Sequence, residues 1–390
     1  MVSFMVVSLR LAQPSPPVFP REGRQRRHRR IRPLTPFHFA LRHARIGAMS
    51  SSHRPSANVV PGLRLLADIG GTHARFALAR RGRDPYAFDV LKTKDYGGPA
   101  QAIAAYLGGK ARGRRPASAV IAVGGPVAGD HVRFTNAPWA FSISGLQRAA
   151  GIDELFVVND FEALAWALPV LRGNDIRKFG RGKRVRGAPR VVFGPGTGLG
   201  VACFVPQGKA PPHTDLVVAS EGGHMSIAAG TPRESALIAA LGVRFGHVSA
   251  ERVISGPGLR YIYQALATID GAAAPAPASF GVAAVTRRAR SGRDPLATET
   301  MAIFSGLAGS FAGNLALGYR ARGGVYLAGG VIPRLGTLFD LRAFRRRFVD
   351  KGRYRDWLAA IPTYLVVHPR HTMVGLAHYL DVLEDVAFPG

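Results

Sequence analysis

Two short glycine-rich segments of this 390-residue chain carry the residue types that hold phosphate. The first is Asp68-Ile69-Gly70-Gly71-Thr72. The second is Gly194-Pro195-Gly196-Thr197-Gly198-Leu199-Gly200. A turn built on glycine lets backbone N–H groups converge on an anion with no Cβ in the way. Thr72 and Thr197 add hydroxyls for phosphate oxygens, and Asp68 adds a carboxylate suited to a phosphate-bound Mg²⁺. Either segment alone is equally a hairpin turn without a ligand; two in matching contexts favour the phosphate reading. Neither ends in Gly-Lys-Ser/Thr, which excludes a P-loop. The alternate glycines of the second miss the dinucleotide spacing G-x-G-x-x-G.

The remaining chemistry lies in carboxylates and one imidazole. Asn159-Asp160 closes the apolar run Leu155–Val158, and a carboxylate at the end of a buried strand stands where α/β proteins place reactive groups. Phosphoryl transfer to an alcohol needs one base near the attacking hydroxyl and otherwise mainly positioning. Asp160 suits the base and Asn159 a polyol ligand. From the dipeptide alone, an Asp capping a helix that starts at Phe161 is the blander reading. Glu221-Gly222-Gly223-His224 sets a carboxylate and an imidazole either side of two glycines, so both can turn into one cleft and bridge vicinal hydroxyls. Alone, that motif is also an ordinary surface turn. Glu251, within His247–Arg252, reads by itself as a solvated helix-face charge.

These groups need a scaffold, and the apolar pattern supplies one. Strands are predicted at Leu63–Ile69, Phe76–Ala79, Phe88–Leu91, Ala119–Val123, Val132–Thr135 and Leu155–Val158. Helices are predicted at Pro99–Leu107 and Phe161–Leu168. The texture then repeats. Arg190–Phe193, Val201–Val205 and Leu216–Ala219 read as strands, 232–320 as helix-rich with a loop at Gly271–Ser279, Val325–Ala328 and Tyr364–Val367 as strands, and Met373–Leu383 as a closing helix. Strand, glycine turn, strand thus occurs twice. That layout predicts two related α/β halves facing each other across a cleft, with one loop from each.

Composition bounds the partners. Hydrophobic residues make up 47 %, enough for a sizeable core, and the length fits two or three domains at ~100–200 residues each. No uninterrupted apolar run reaches the ~18–20 residues of a bilayer span, so no membrane partner is expected. The single cysteine, Cys203, excludes a disulfide framework and a Cys-cluster zinc site, and fits a cytoplasmic setting. A net charge of +28 invites a nucleic-acid reading. However, ten Arg against one Glu put +9 of it in residues 1–48 alone. The remainder follows the Arg-, Ala-, Gly- and Pro-rich usage of GC-rich codons, so no nucleic-acid partner is expected. Residues 1–62 show no period of 2 or 3.6 and read as a basic, disordered extension. Their opening apolar stretch precedes its first charge, unlike a secretory signal. We expect the true start at Met49; an Arg-rich transit peptide is the alternative.

Taken in order, the motifs resemble the bacterial ATP-dependent glucokinases of the hexokinase/actin-like superfamily. The segments are Leu66–Thr72, Thr135–Phe141, Val158–Phe161, Gly194–Gly200, Glu221–His224, Gly246–Arg252 running on to Ser255–Gly258, Asn314–Leu317, Leu327–Gly330 with Pro333 and Arg334, and Gly375-x-x-His378. They span about residues 63–385. The resemblance implies an α/β, two-domain actin-like ATPase (ribonuclease H-like) fold. Its cleft would separate a small domain (62–170 plus 370–390) from a large one (171–369).

It also implies D-glucose and ATP as substrates, with Mg²⁺ bound alongside ATP, and a homodimer. Asp160 would take the proton from the sugar 6-hydroxyl. Asn136, Asn159, Glu221, His224 and Glu251 would hold the sugar. Asp68, Gly70, Gly71 and Thr72 match the first phosphate loop, Gly196, Thr197 and Gly198 the second, and Gly329 and Gly330 the segment near adenosine. Three positions depart from the pattern: His73 for Asn, Ser220 for Gly, and Arg370-His371-Thr372 for an Asn-Pro-Gly-like turn. The Cys-rich zinc motif of the related repressor/kinase family is absent, so no structural zinc is expected. A sugar-sensing regulator of the same fold is the alternative function. It would keep Glu221, His224 and Glu251 but lose Asp160 or the loops, and all are present.

Overall fold

The computed structural model describes residues 59–134, 139–208, 215–273 and 280–387. Residues 1–58 of the expected extension (1–62), Asn136 and most of the Gly271–Ser279 loop lie outside the described residues, whereas 59–62, expected to be disordered, open the first strand. In β1 (Val59–Ile69) the period-2 alternation sends Leu65, Ala67 and Ile69 to one face and Leu66 to the other. β2 (His73–Ala79) returns antiparallel through the first glycine turn, and β3 (Tyr86–Lys92) pairs antiparallel with β2. Helix α1 (Pro99–Gly108), started by its proline, leads to β4 (Arg115–Val123), which lies parallel to β1. A separate ladder of β5 (His131–Arg133) and β6 (Ala140–Ser142) precedes α2 (Ile143–Ala150). β7 (Glu154–Asn159) then runs parallel to β4 and into α3 (Asp160–Ala167).

The second half begins with β8 (Ile176–Phe179), β9 (Arg190–Pro195), β10 (Leu199–Val205) and β11 (Leu216–Ser220). Helices α4 (Pro232–Phe245), α5 (Ala250–Val253), α6 (Gly256–Ile269), α7 (Val282–Ser291) and α8 (Pro295–Gly318) follow. The chain closes with β12 (Gly324–Leu327), α9 (Val331–Leu335), α10 (Leu341–Val349), α11 (Arg355–Ala359), β13 (Thr363–Val366) and α12 (His371–Ala387).

The two large sheets repeat one plan. The first has the order β3-β2-β1-β4-β7, the second β11-β10-β9-β12-β13-β8. In each, a three-strand antiparallel meander is extended by two parallel strands on the side of its first strand. β8 is an antiparallel addition beside β13. The glycine turns therefore occupy the same place in both halves, between the first and second strands.

Side-chain alternation sets the layers. One face of the first sheet packs on α1 through Ala102, Ile103 and Tyr106; its other face meets Met373, Leu376 and Leu380 of α12. The second sheet turns Val192, Ala202 and Phe204 toward Leu164 and Trp166 of α3, and Val191, Phe193 and Val201 toward the helical layer. Helices α3 and α12 thus lie between the sheets. Arg64, 1 % exposed on β1, is held by Asp381 and Glu384 of α12, which ties that helix to the first sheet. Helix α8 is long and apolar enough to cross a membrane by length and composition, yet 78 % of its most apolar window is buried inside the protein.

The predicted strands and helices are present, with small shifts at their ends. Elements not anticipated are β6, α2, β8 and the helices α9, α10 and α11. Each is short: α2 buries only Leu146, and β8 has only half-buried and exposed residues. Such segments are held by their pairing in the fold more than by local preference.

Candidate active site

The first glycine turn leaves β1 at Asp68 and Ile69. Gly70 N donates to His73 O at 3.0 Å, closing the hairpin. Thr93 braces it, with its N–H on Thr72 O at 3.0 Å and its hydroxyl on Gly71 O at 2.8 Å. Among the described residues, a Cβ on Gly70 would meet only His73 O, at 3.7 Å, an ordinary contact. Asp68 faces Arg75 across the β1–β2 ladder, and Arg75 Nη1 donates to Asp68 Oδ2 at 3.3 Å. Burial pushes the Asp68 carboxyl up, against the opposing pull of Arg75 and His371.

The second turn, between β9 and β10, is closed by Gly196 N donating to Gly198 O at 2.8 Å. It is tied to the start of α6, where Gly256 N donates to Gly196 O at 2.9 Å. Among the described residues, a Cβ on Gly196 would meet nothing within 4 Å, and Thr197 is exposed. This turn presents backbone to open space.

Asp160 opens α3, one residue earlier than the sequence suggested. The cap is Asn159, whose Oδ1 accepts from Phe161 N at 2.9 Å and Glu162 N at 3.3 Å. Asn159 Nδ2 donates to Gly125 O at 3.1 Å. The blander reading of Asp160 as the cap is thereby corrected: both residue types cap well, and the one-residue shift gives the task to Asn159. Asp160 Oδ1 accepts from Phe161 N at 2.9 Å, while its Oδ2 lies beside Gly124. Burial first, then the negative charges of Asp68 and Glu221, push the Asp160 carboxyl up to about 6, partly offset by the helix N–H groups. Asp160 therefore shares one electrostatic neighbourhood with a residue from each half.

Glu221 and His224 flank the short turn Gly222–His224 after β11. They are 67 % and 61 % exposed, with Glu221 Oε2 3.9 Å from His224 Nε2, so both are open to a ligand. Ser220, one of the departures from the family pattern, accepts from Gly222 N through Oγ at 2.9 Å and so braces this turn. Glu251 sits on α5, half-buried, and its Oε2 accepts from Leu199 N at 2.9 Å. It is not merely a solvated helix-face charge.

A cavity of about 1100 Å³ opens between the two sheets. Of the sequence-predicted residues, Asp68, Gly329 and Gly330 line it; Gly70, Gly71, Thr72, Gly196, Thr197, Gly198, Asn159, Asp160, Glu221, His224 and Glu251 do not. Its wall also carries Arg75 and Arg177, not anticipated, and Arg370 and His371, noted in the sequence only as departures from the family pattern. The Arg370 guanidinium stacks 3.8 Å over the Phe88 ring. Burial lowers the His371 imidazole, and its Nδ1 lies 2.8 Å from His368 O. Arg75 was legible in principle, because a hairpin through the glycine turn that pairs Ile69 with Ala74 must pair Asp68 with Arg75. Among the described residues no group of three His, Cys, Asp or Glu side chains is placed to hold a metal.

Comparison with known proteins follows this geometry. The glucokinase family profile matches residues 65–383. The chain is 44 % identical over 316 residues to a glucokinase of Paramagnetospirillum magneticum, covering 80 % of this chain and 96 % of that one. It is 43 % identical over 321 residues to a glucokinase of Aromatoleum aromaticum, covering 82 % and 94 %. A crystal structure of glucokinase from an Antarctic psychrotroph superposes with a TM-score of 0.74 at 34 % identity, covering 82 % of this chain and 98 % of that one.

Proposed function

The chain belongs to the glucokinase family, and from that premise we propose that it transfers the γ-phosphoryl group of ATP to the 6-hydroxyl of D-glucose. The products are glucose 6-phosphate and ADP, the entry step of glycolysis. The observation that carries the proposal is Asp160, a carboxylate at the end of β7 with one oxygen unused by the helix N-terminus and its pKa pushed up to about 6. Such a group is ionised at neutral pH, yet basic enough to accept a proton from an alcohol as it attacks.

In this reading Asn159, Glu221, His224 and Glu251, with Asn136, hold the sugar hydroxyls. Glu251 does so with its second oxygen, since Oε2 is engaged by Leu199 N. The 6-hydroxyl oxygen attacks the γ-phosphorus and its proton passes to Asp160. The bond from the γ-phosphorus to the bridging oxygen breaks, and ADP leaves with the electron pair. Gly70, Gly71 and Thr72 together with Gly196, Thr197 and Gly198 hold the phosphates, while Gly329 and Gly330 border the adenosine. Asp68 fits Mg²⁺: it is a single hard oxygen donor beside a phosphate turn, and Mg²⁺ commonly takes one or two carboxylates plus substrate phosphates. When bound there, the ion would neutralise charge on the β- and γ-phosphates.

The duplicated strand order supports the actin-like fold, with the small domain at 62–170 and 370–390 and the large one at 171–369. Closure of one on the other over the sugar would exclude water. The reading extends to a cytoplasmic homodimer. A coupled assay across glucose, mannose, fructose and glucosamine with ATP tests it. We expect ADP to form with glucose; no ADP with any hexose would overturn the proposal.

A further inference from the structure

Leu199 is the first residue of β10 after the second glycine turn. The elements that carry the proposed sugar ligands grip it from two sides. Its N–H donates to Glu251 Oε2 at 2.9 Å. Its carbonyl oxygen lies against Gly223, where any Cβ would overlap it, so the turn bearing Glu221 and His224 rests directly on the Leu199 peptide. At Gly198, inside the phosphate turn, a Cβ would stand 2.5 Å from Glu251 Oε2. The two gripping elements also form one unit. Ala250 N donates to Met225 O at 2.8 Å, Ile227 N to Val248 O at 3.2 Å, and His247 Nε2 lies 3.1 Å from His224 O.

We infer that Leu199 is a positioning residue that relays occupancy of the sugar site to the second phosphate turn, so that glucose and nucleotide bind with positive coupling. The inference rests on the sugar and nucleotide roles proposed above. A hydroxyl held by the free oxygen of Glu251 restrains the carboxylate. That restrains the Leu199 amide and, through it, the Gly196–Gly198 turn. Whatever sugar does for nucleotide, nucleotide must then do for sugar by the same factor. Among the described residues the first turn lacks this connection. Its braces come from Thr93 and the β1–β2 hairpin.

The test measures Mg·ADP affinity by calorimetry with and without saturating D-glucose, together with amide hydrogen exchange over residues 196–201. In the wild type we expect glucose to tighten Mg·ADP by at least ~5-fold, and glucose alone to slow exchange in that segment. Gly198→Ala displaces the carboxylate from the amide while leaving Glu221 and His224. It is expected to weaken glucose binding through the displaced Glu251, and at saturating glucose the coupling falls to about one. Should that variant misfold, Glu251→Gln and Glu251→Ala decide the matter. The carboxamide oxygen of the first still accepts from Leu199 N–H and keeps the coupling and the slowed exchange, whereas the second loses both. Glucose binding and turnover with unchanged Mg·ADP affinity and unchanged exchange at 196–201 would overturn the relay alone. A wild type that binds no glucose would overturn the relay and the proposed activity together.

Discussion

The two glycine turns occupy equivalent places in a duplicated strand order, yet different parts of the molecule brace them. The first is fixed from its own sheet, by Thr93 at the end of β3 and by the hairpin that sets Asp68 against Arg75. The second is fixed from outside its sheet, by Glu251 of α5 and Gly256 of α6, with the Glu221–His224 turn packed against the next residue. Repetition of a strand plan therefore supplies two equivalently placed glycine turns. What inserts after β11 decides that, among the described residues, the second alone is tied to the proposed sugar ligands. In the proposed reading, the first turn would answer to the nucleotide alone and the second to both substrates.

Substitutions on the two sides should separate accordingly. The largest difference is expected from Glu221→Ala, which removes the proposed charged acceptor for sugar hydroxyls. Such bonds are worth ~1.5–3 kcal/mol, so the glucose KM should rise by about 10–100-fold with the MgATP KM nearly unchanged. Steady-state kinetics in both substrates checks this, and equal rises in both would erase the distinction. Asp68→Asn should act on the opposite side, raising the MgATP KM by about 10-fold, the scale of one lost charged contact, and leaving glucose affinity intact.

Asp68→Asn has a second, pH-dependent consequence. A raised carboxyl pKa means that the base form of Asp160 is lost as pH falls through about 6. Wild-type kcat/KM should therefore drop about tenfold per pH unit below that point. Removing the Asp68 charge, a contributor to the shift after burial, should move this limb to lower pH. A limb that stays in place would mean the two carboxylates do not interact. The smallest effect is expected from Ser220→Gly. It deletes the hydroxyl that receives Gly222 N–H, a bond worth about 1 kcal/mol. The glucose KM should rise by no more than ~5-fold, as the turn loosens without losing a ligand.

Much of this was legible in the chain because the chemistry is packed into local motifs. Asp68–Thr72, Asn159-Asp160, Gly194–Gly200 and Glu221–His224 each place their groups within a few residues. The alternating runs around them specify the strands that present them. What the motifs do not contain is contact between distant segments. The bond from Leu199 N–H to Glu251 spans 52 residues and uses a backbone donor, which no residue type advertises. The choice of Asn159 over Asp160 as helix cap turns on a one-residue shift between two equally good capping types. Arg370 and His371 reach the cavity between the sheets because α12 returns to the first sheet.

The most direct measurement of the central assignment is the glucose-dependent formation of glucose 6-phosphate by Asp160→Asn beside the wild type, with folding confirmed by circular dichroism. Loss of a general base typically costs ~10²–10⁴-fold. We expect kcat to fall by at least about 100-fold while glucose still binds, because the amide preserves the shape of the side chain at the start of α3. A folded Asp160→Asn protein that turns over glucose at close to the wild-type rate would contradict the assignment.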